Sequence, residues 1–166
     1  MNIEQLEADI AALYDECLER IEPFHRKLDL FLVPESLAKK TLAATGLSIS
    51  DHWVCIDNFG IIHALVQHGN PISEARRGQI AIEKADFLQF IEVLLDPDEI
   101  RMIGKTQKTN LPLIQFEKII EDKKVVVKEI RTISSQRKKK VSRLVFHTMY
   151  KTKATKHDAL GGFENP

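Results

Sequence analysis

The spacing of apolar residues changes near residue 98, and this change constrains the fold more than any single motif does. Before it, apolar residues recur at three- and four-residue intervals, which is the period of an amphipathic helix. After it, short β-like runs alternate with polar segments, which is typical of antiparallel strands joined by turns. The order of these elements predicts an α+β domain, with N-terminal helices packed on one face of a C-terminal antiparallel β-meander of about four strands.

The helical part is divided by prolines and glycines. Apolar residues with helical spacing fill Ile3–Ile21, and Pro23 closes this segment. Pro34 and Gly46 bracket a second predicted helix over Glu35–Thr45. The remaining predicted elements are a helix that contains His63, a helix over Lys84–Leu94, and short extended segments at Leu28–Pro34, His52–Ile56 and Ile80–Ile82.

The C-terminal part contains four β-like runs, separated by GKTQKTN, EDKK and SSQRKKK. The runs are Ile100–Ile103, Leu113–Ile119, Lys124–Ile133 and Val141–Thr152. Residues after 153 show no periodic apolar face, which indicates a flexible tail. The chain is therefore predicted to consist of an acidic amphipathic helix at residues 1–24, a main domain at 25–153 and a tail at 154–166.

The first predicted helix fits two kinds of packing. Its apolar stripe spans barely two and a half heptads, which favours a helix docked on its own domain. The same stripe fits a short coiled-coil seam, and a homodimer through this helix is therefore one partner expectation. The outer face of the helix is acidic, which is explained either by solvation or by screening of the basic half of the chain.

Length and composition indicate a folded domain. The chain has 166 residues, of which 43% are hydrophobic, so a core can form without disulfides or a structural metal. No apolar run reaches the roughly 18 residues that a membrane-spanning helix needs, and the acidic start does not resemble a secretory signal. Cys17 and Cys55 form no Cys-x-x-Cys pair and are interpreted as packed, reduced side chains. We expect a cytoplasmic protein that binds no membrane, metal or cofactor, with delivery to another cell as the open alternative.

The formal net charge of zero conceals two halves of opposite sign. Residues 1–100 hold 8 Lys/Arg and 18 Asp/Glu, a net of −10, while residues 101–166 hold 16 and 6, a net of +10. Folding either mixes these charges or leaves a basic face for a polyanion such as RNA. The cations of Arg137–Lys140 are predicted at a hairpin tip, either as a solvated turn that discourages edge pairing or as a patch that follows an RNA backbone.

Two histidines in the segment IIHALVQHGNPISEARRGQ are the first candidate functional residues. His63 is the polar exception in an apolar helix, with Ile62, Leu65 and Val66 expected on one side and His63 near the opposite side. His68 lies about 140° further round the axis, so the two rings need not meet. The structural alternatives are a hydrogen-bonded core histidine at 63 and a helix-terminal histidine at 68.

Further candidates come from the polar segment NPISEARRGQ, which is predicted to be a loop, and from the final strands. In the last strand, alternation places Phe146, Thr148 and Tyr150 on one face and His147 on the other. Hydroxyls and cations can both stabilise a phosphate, although any single cation is more often solvated. Glu129 fits either a carboxylate base or an ordinary cross-strand ion pair. The predicted substrate-binding residues are Arg77, Gln79, Lys118, Arg131, Tyr150 and Lys151.

Six segments, taken in order, resemble the phage-associated branch of the barnase/EndoU/colicin/RelE-like (BECR) nuclease superfamily. They lie between Leu30 and Lys153 and read VPESLAKKTLAATG, HALVQHG, EARRGQIAIEKADF, LLDPDEI, VVVKEIR and FHTMYKTK. The resemblance implies that residues 25–153 form a BECR-like nuclease domain. It also implies RNA cleavage without a metal ion, often by a toxin or effector of a mobile element. His63 stands where the family's helical histidine falls, and a hydroxyl residue is expected near Thr148.

Such cleavage needs a base for the ribose 2′-hydroxyl, an acid for the leaving 5′-oxygen and cations for the phosphate. A histidine, with an ordinary pKa near 6.5, can serve as either acid or base. The predicted catalytic residues are therefore His63, His68 and Thr148, in a metal-independent endoribonuclease that forms a 2′,3′-cyclic phosphate.

The sequence leaves the substrate, the partners and the function open to alternatives. The RNA substrate, whether tRNA, rRNA or mRNA, is not resolved, and a cognate inhibitor protein is a further partner expectation. The alternative function is a catalytically inactive nucleic-acid-binding or protein-interaction module. A metal-dependent nuclease is less favoured, because Asp96 and Asp98 flank Pro97 in a turn without a convincing cluster of carboxylates.

Overall fold

The computed structural model describes residues 1–136, 139–155 and 158. At residues 135 and 136 it describes the backbone alone. Within this part of the chain there are five helices and six strands. The helices are α1 (Ile3–Glu19), α2 (Glu35–Thr45), α3 (Asn58–His68), α4 (Pro71–Arg76) and α5 (Lys84–Leu95). The strands are β1 (Lys27–Leu32), β2 (Trp53–Asp57), β3 (Glu99–Lys105), β4 (Pro112–Ile120), β5 (Lys123–Gln136) and β6 (Lys139–Lys153). None of the described helices is long and apolar enough to cross a membrane.

All six strands form one mixed sheet in the order β1-β2-β6-β5-β4-β3. Strands β3 to β6 are antiparallel neighbours, so the predicted α+β class and the C-terminal meander are confirmed. The two early strands join this sheet through β2, which pairs in parallel with β6 over Trp53–Cys55. This pairing joins segments about 90 residues apart, and local periodicity carries no signal for it.

Helix α1 packs on its own domain, as the docked alternative expects. Ile10 and Leu13 are buried, and the ring of Tyr14 lies 5.5 Å from that of Phe87 in α5. An ion pair of 2.8 Å between Lys84 and Asp15 fixes the same contact at its rim. Burial of the middle of the apolar stripe therefore holds the acidic helix on the core.

The sheet contributes one face to the hydrophobic core. Phe146 of β6 meets the rings of Phe87 and Phe90 of α5 at centroid distances of 5.9 and 5.3 Å. Val125 and Val127 of β5 belong to this core, and such alternate residues share one face of a strand. The residues between them therefore face the other side of the sheet.

Helix α3 buries a different side from the one that the sequence predicts. Ile61 and Ala64 are fully buried, whereas Ile62 and Val66 are exposed. The reason is the close approach of Gly60 to β6, where a Cβ atom would lie 2.7 Å from the carbonyl oxygen of Phe146. This contact sets the rotation of the helix, so the side on which the sequence places Ile62 and Val66 is not the buried side.

The segment NPISEARRGQ is not entirely a loop, since its first part forms the single turn of α4. The side chain of Asn70 accepts hydrogen bonds from the backbone N–H groups of Ile72 and Ser73, and Pro71 occupies the first helical position. Both are ordinary helix-start signals. The prediction of a loop across this segment is therefore wrong for residues 71–76.

Strand β6 contains a β-bulge that breaks the expected alternation of its side chains. Lys128 of β5 pairs with Thr148 and Glu129 pairs with Phe146, so His147 has no cross-strand partner. An extra residue of this kind exchanges the faces on its two sides. Phe146 lies in the core while Thr148 lies on the opposite face, and the prediction that they share a face is wrong.

Glu129 is a buried carboxyl group without a hydrogen-bond partner among the described residues. Its side chain is fully buried on the core face of β5, and both carboxyl oxygens are unpaired. Burial raises the pKa of Glu129 well above its usual value of 4.5, so the folded protein holds a proton that the unfolded chain releases. The stability of the fold therefore falls as the pH rises from 4.5 towards this raised pKa.

We expect Glu129→Gln, which keeps the shape but cannot ionise, to stabilise the protein increasingly with pH. Below pH 4.5 the two proteins should unfold with similar free energies, and at pH 9 the variant should be more stable by at least about 1 kcal/mol. Urea denaturation at several pH values measures this difference. A constant difference across the range would show that Glu129 stays ionised in the fold.

The two cysteines are free and separate. Cys55 is buried in β2, and burial raises the pKa of its thiol to about 12. Cys17 is half-buried in α1, and burial is also the largest cause that raises its pKa, to about 11. Neither thiol is activated as a nucleophile.

Candidate active site

The sheet face opposite the core carries a group of polar side chains, which we call the polar face. The cross-strand register places them beside each other on β3 to β6. They are Glu99, Arg101, Gln115, Glu117, Lys124, Lys128, Thr148 and Tyr150. Four adjacent strands therefore present acid, amide, amine and hydroxyl groups on one surface.

Helix α3 lies along β6 and brings two histidines to the side of the polar face. Strand β2 pairs with β6 only as far as Val145, and beyond that point α3 packs against β6. The ring of His63 lies 5.0 Å from the ring of His147, and the ring of His68 lies 5.6 Å from the ring of Tyr150. The two α3 histidines thus meet different residues of one strand.

His63 and His147 share an open cavity of about 320 Å³. Its other lining residues are Asp57, Phe59, Gly60, Val145 and Phe146. Partial burial lowers the pKa of His147 below its usual value of 6.5, and the nearby charges of His63 and Lys128 lower it further. At neutral pH, His147 is therefore a neutral imidazole that can accept a proton.

Lys128 lies between the two histidine contacts. It pairs across the strands with Thr148, the residue after His147, and its amine lies 5.5 Å from the centre of the Tyr150 ring. The ring of Tyr150 in turn contacts His68. We call the row His63, His147, Lys128, Tyr150 and His68 the histidine strip.

Glu117 adjoins the strip on the polar face. Burial raises the pKa of Glu117, and its carboxylate accepts a hydrogen bond of 2.6 Å from the amide of Gln115. Directly opposite on β3 stands Glu99, and Arg101 lies within ion-pair distance of both carboxylates. Burial also raises the pKa of Tyr150, and the charge of Glu117 adds to this effect.

Several residues predicted from the sequence meet at or near the strip. His63, His68 and Tyr150 are members of it, and Thr148 pairs with Lys128 across the strands. The hydroxyl of Thr148 is buried and has no hydrogen-bond partner among the described residues.

Arg77 and Gln79 both contact Glu74, whose carboxylate contacts His68. The guanidinium of Arg77 contacts Glu74 at 3.1 Å and donates to the carbonyl oxygen of Gln67 at 2.9 Å. The side-chain oxygen of Gln79 is buried and, within the described part of the chain, unpaired. Both predicted residues therefore lie at the His68 end of the strip.

Three predicted phosphate-binding cations contact partners outside the strip. The amine of Lys118 contacts Asp96 at 3.1 Å, and the amine of Lys151 contacts Asp86 at 2.9 Å in a buried ion pair. The guanidinium of Arg131 donates to His52 at 3.3 Å. Each partner is distant in sequence, so a reading of local spacing could not reveal these contacts.

Two members of the strip were not selected from the sequence. His147 was expected to face away from Thr148, because strict alternation was assumed across the bulge. Lys128 has no distinguishing local signal in the run VVVKEIR. The β-bulge carries no glycine that would have marked it in the sequence.

Comparison with known proteins identifies the family. The model of the family described as phage-Barnase-EndoU-ColicinE5/D-RelE like nuclease3 matches residues 32–159, and the chain belongs to this nuclease family. The resemblance predicted from the six sequence segments is thereby confirmed. No curated protein and no solved structure matches the chain.

Proposed function

We propose that this protein is a metal-independent endoribonuclease that cleaves RNA to a 2′,3′-cyclic phosphate. The observation that carries the proposal is the histidine strip, in which Lys128 pairs with Thr148, the residue after His147, and lies 5.5 Å from the ring of Tyr150, which in turn contacts His68. A cation between two imidazoles suits a phosphate between a base and an acid. Family membership supports the same chemistry.

The proposed reaction uses the two ends of the strip differently. Neutral His147 takes the proton of the ribose 2′-hydroxyl, and the 2′-oxygen forms a bond to phosphorus. The bond from phosphorus to the 5′-oxygen breaks, and protonated His68 gives its proton to that oxygen. Lys128 stabilises the negative charge on the phosphorane.

His63 belongs to the base end of this arrangement. A positive charge on His63 lowers the pKa of His147, so the His147 imidazole stays unprotonated down to lower pH. At the acid end, the half-exposed guanidinium of Arg77 is placed to bind the RNA backbone. The hydroxyl of Thr148, next to Lys128 in the register, is a candidate donor to a phosphate oxygen.

The phage association of the family supports a role as a toxin or effector of a phage or mobile element. Such a role places the RNA substrate in the cytoplasm and makes a cognate inhibitor protein the expected partner.

The test is cleavage of total cellular RNA by the purified protein in excess EDTA. We expect fragments with 2′,3′-cyclic phosphate ends and no effect of the chelator, because side chains alone carry the proton transfers. His147→Ala, which removes the proposed base and is purified in the same way, reveals any contaminating ribonuclease, which would cleave equally in both samples. Intact RNA with salt-sensitive binding would instead favour an inactive nucleic-acid-binding module.

A further inference from the structure

Glu74 is a fully buried carboxylate beside the histidine strip. Burying a charged group costs free energy unless partners satisfy it. Here one carboxylate oxygen lies 3.1 Å from Nδ1 of His68 and the other lies 3.1 Å from Nη1 of Arg77. Each oxygen of this buried group therefore has its own partner, and one of these partners is the proposed acid.

We infer that Glu74 is a positioning residue, which holds His68 in the Nδ1–H tautomer and leaves its Nε2 for proton exchange with RNA. The inference rests on the proposed function only in its last clause, since the contact between Glu74 and His68 is a property of the fold. A histidine ring has two nitrogen atoms, and a fixed hydrogen bond at one of them selects the function of the other.

Backbone hydrogen bonds support the contact between Glu74 and His68. The carbonyl oxygen of Glu74 accepts hydrogen bonds from the N–H groups of Arg77 and Gln79, at 3.0 and 2.8 Å. The carbonyl oxygen of His68 accepts one from the N–H group of Ile82, at 2.9 Å. The bond from Ile82, together with that from the Arg77 guanidinium to the carbonyl oxygen of Gln67, connects this segment to the end of α3.

The pattern of hydrogen-bond donors and acceptors explains why a carboxylate suits this position better than an amide. In Glu74→Gln, Arg77 is expected to keep the amide oxygen, because a guanidinium has only donors. The amide NH₂ group would then face Nδ1 of His68, and the ring would have to change to the Nε2–H tautomer. Replacement of one oxygen by nitrogen would therefore invert the protonation pattern of His68.

The first experiment reads the tautomer directly, without activity. Long-range ¹H–¹⁵N NMR spectra of ¹⁵N-histidine-labelled wild type, at a pH where His68 is neutral, should show the Nδ1–H form. In Glu74→Gln we expect the Nε2–H form. The Nε2–H form in the wild type would overturn the inference, and this measurement does not require the variant to fold.

The second experiment is a double-mutant cycle on RNA cleavage. Glu74→Gln should lower kcat/KM roughly 10- to 100-fold in the wild-type background. In a His68→Ala background it should change the rate by less than about twofold, because positioned groups act as a unit. An equal loss in both backgrounds would show a merely structural role for Glu74.

These two experiments separate the inference from the proposed function. Absence of RNA cleavage together with the Nδ1–H form in the wild type would reject the ribonuclease and retain the contact between Glu74 and His68. Cleavage together with the Nε2–H form would retain the ribonuclease and reject the role of Glu74.

Discussion

Replacement of His147 by alanine is expected to lower kcat/KM for RNA cleavage by roughly 10²- to 10⁴-fold, the usual contribution of a general base. The reason is its place in the cavity beside His63, where burial and neighbouring charges keep it neutral at pH 7. Initial rates on a short fluorescent RNA measure the loss. Lys39→Ala, which removes an exposed side chain of α2, is the control and should cleave at the wild-type rate.

The pH dependence of the cleavage rate tests the assignment of His147 as the base. A base must be unprotonated, so the rate falls as the pH drops through the pKa of His147, and this acidic limb should lie below pH 6.5. His63→Gln removes a charge that lowers this pKa, and the limb should then move to higher pH. An acidic limb that keeps its position in His63→Gln would contradict the assignment of His147 as the base.

The helices and the meander could be predicted because each produces a characteristic local spacing of apolar residues. The second helix, Glu35–Thr45, agrees residue for residue with α2, since Pro34 and Gly46 mark both of its ends. The joining of β2 to β6 could not be predicted, because it depends on pairing between distant segments. The β-bulge at His147 was missed for a related reason, since only the register with β5 shows it.

The division of charge along the chain likewise did not predict where the charges lie in the fold. Folding pairs acids of the first 100 residues with cations of the remainder, as in Asp29 with Arg143 at 2.9 Å and Asp86 with Lys151 at 2.9 Å. Linear segregation is thus partly mixed in space. What distinguishes Lys128 is therefore its place between His147 and Tyr150, which the charge count did not indicate.

The site could be predicted to the extent that its residues lie on one regular element. His63 and His68 were selected because a polar residue in an apolar helix is visible in the sequence. Their partners His147 and Tyr150 come from β6, more than 80 residues away. The cations could not be ranked for the same reason, since Lys118 and Lys128 are equally plausible until the strands are placed.

Lys128→Met is expected to lower kcat roughly 10²- to 10³-fold with a small change in KM, since stabilising charge in the transition state acts mainly on the chemical step. Methionine keeps much of the side-chain length and removes only the charge. Single-turnover cleavage at saturating protein, compared with RNA binding by fluorescence anisotropy, separates the two effects. Lys39→Met, an exposed lysine of α2, should leave both unchanged.

Lys118→Met tests the competing assignment from the sequence. The amine of Lys118 is held by Asp96, so its loss should cost far less in kcat than the loss of Lys128. Equal losses in the two variants would place both amines at the phosphate and would require Lys118 to leave Asp96 when RNA binds. A loss for Lys128→Met that appears in KM alone would make this lysine a backbone contact, and the cation of the reaction would have to be sought in Arg77.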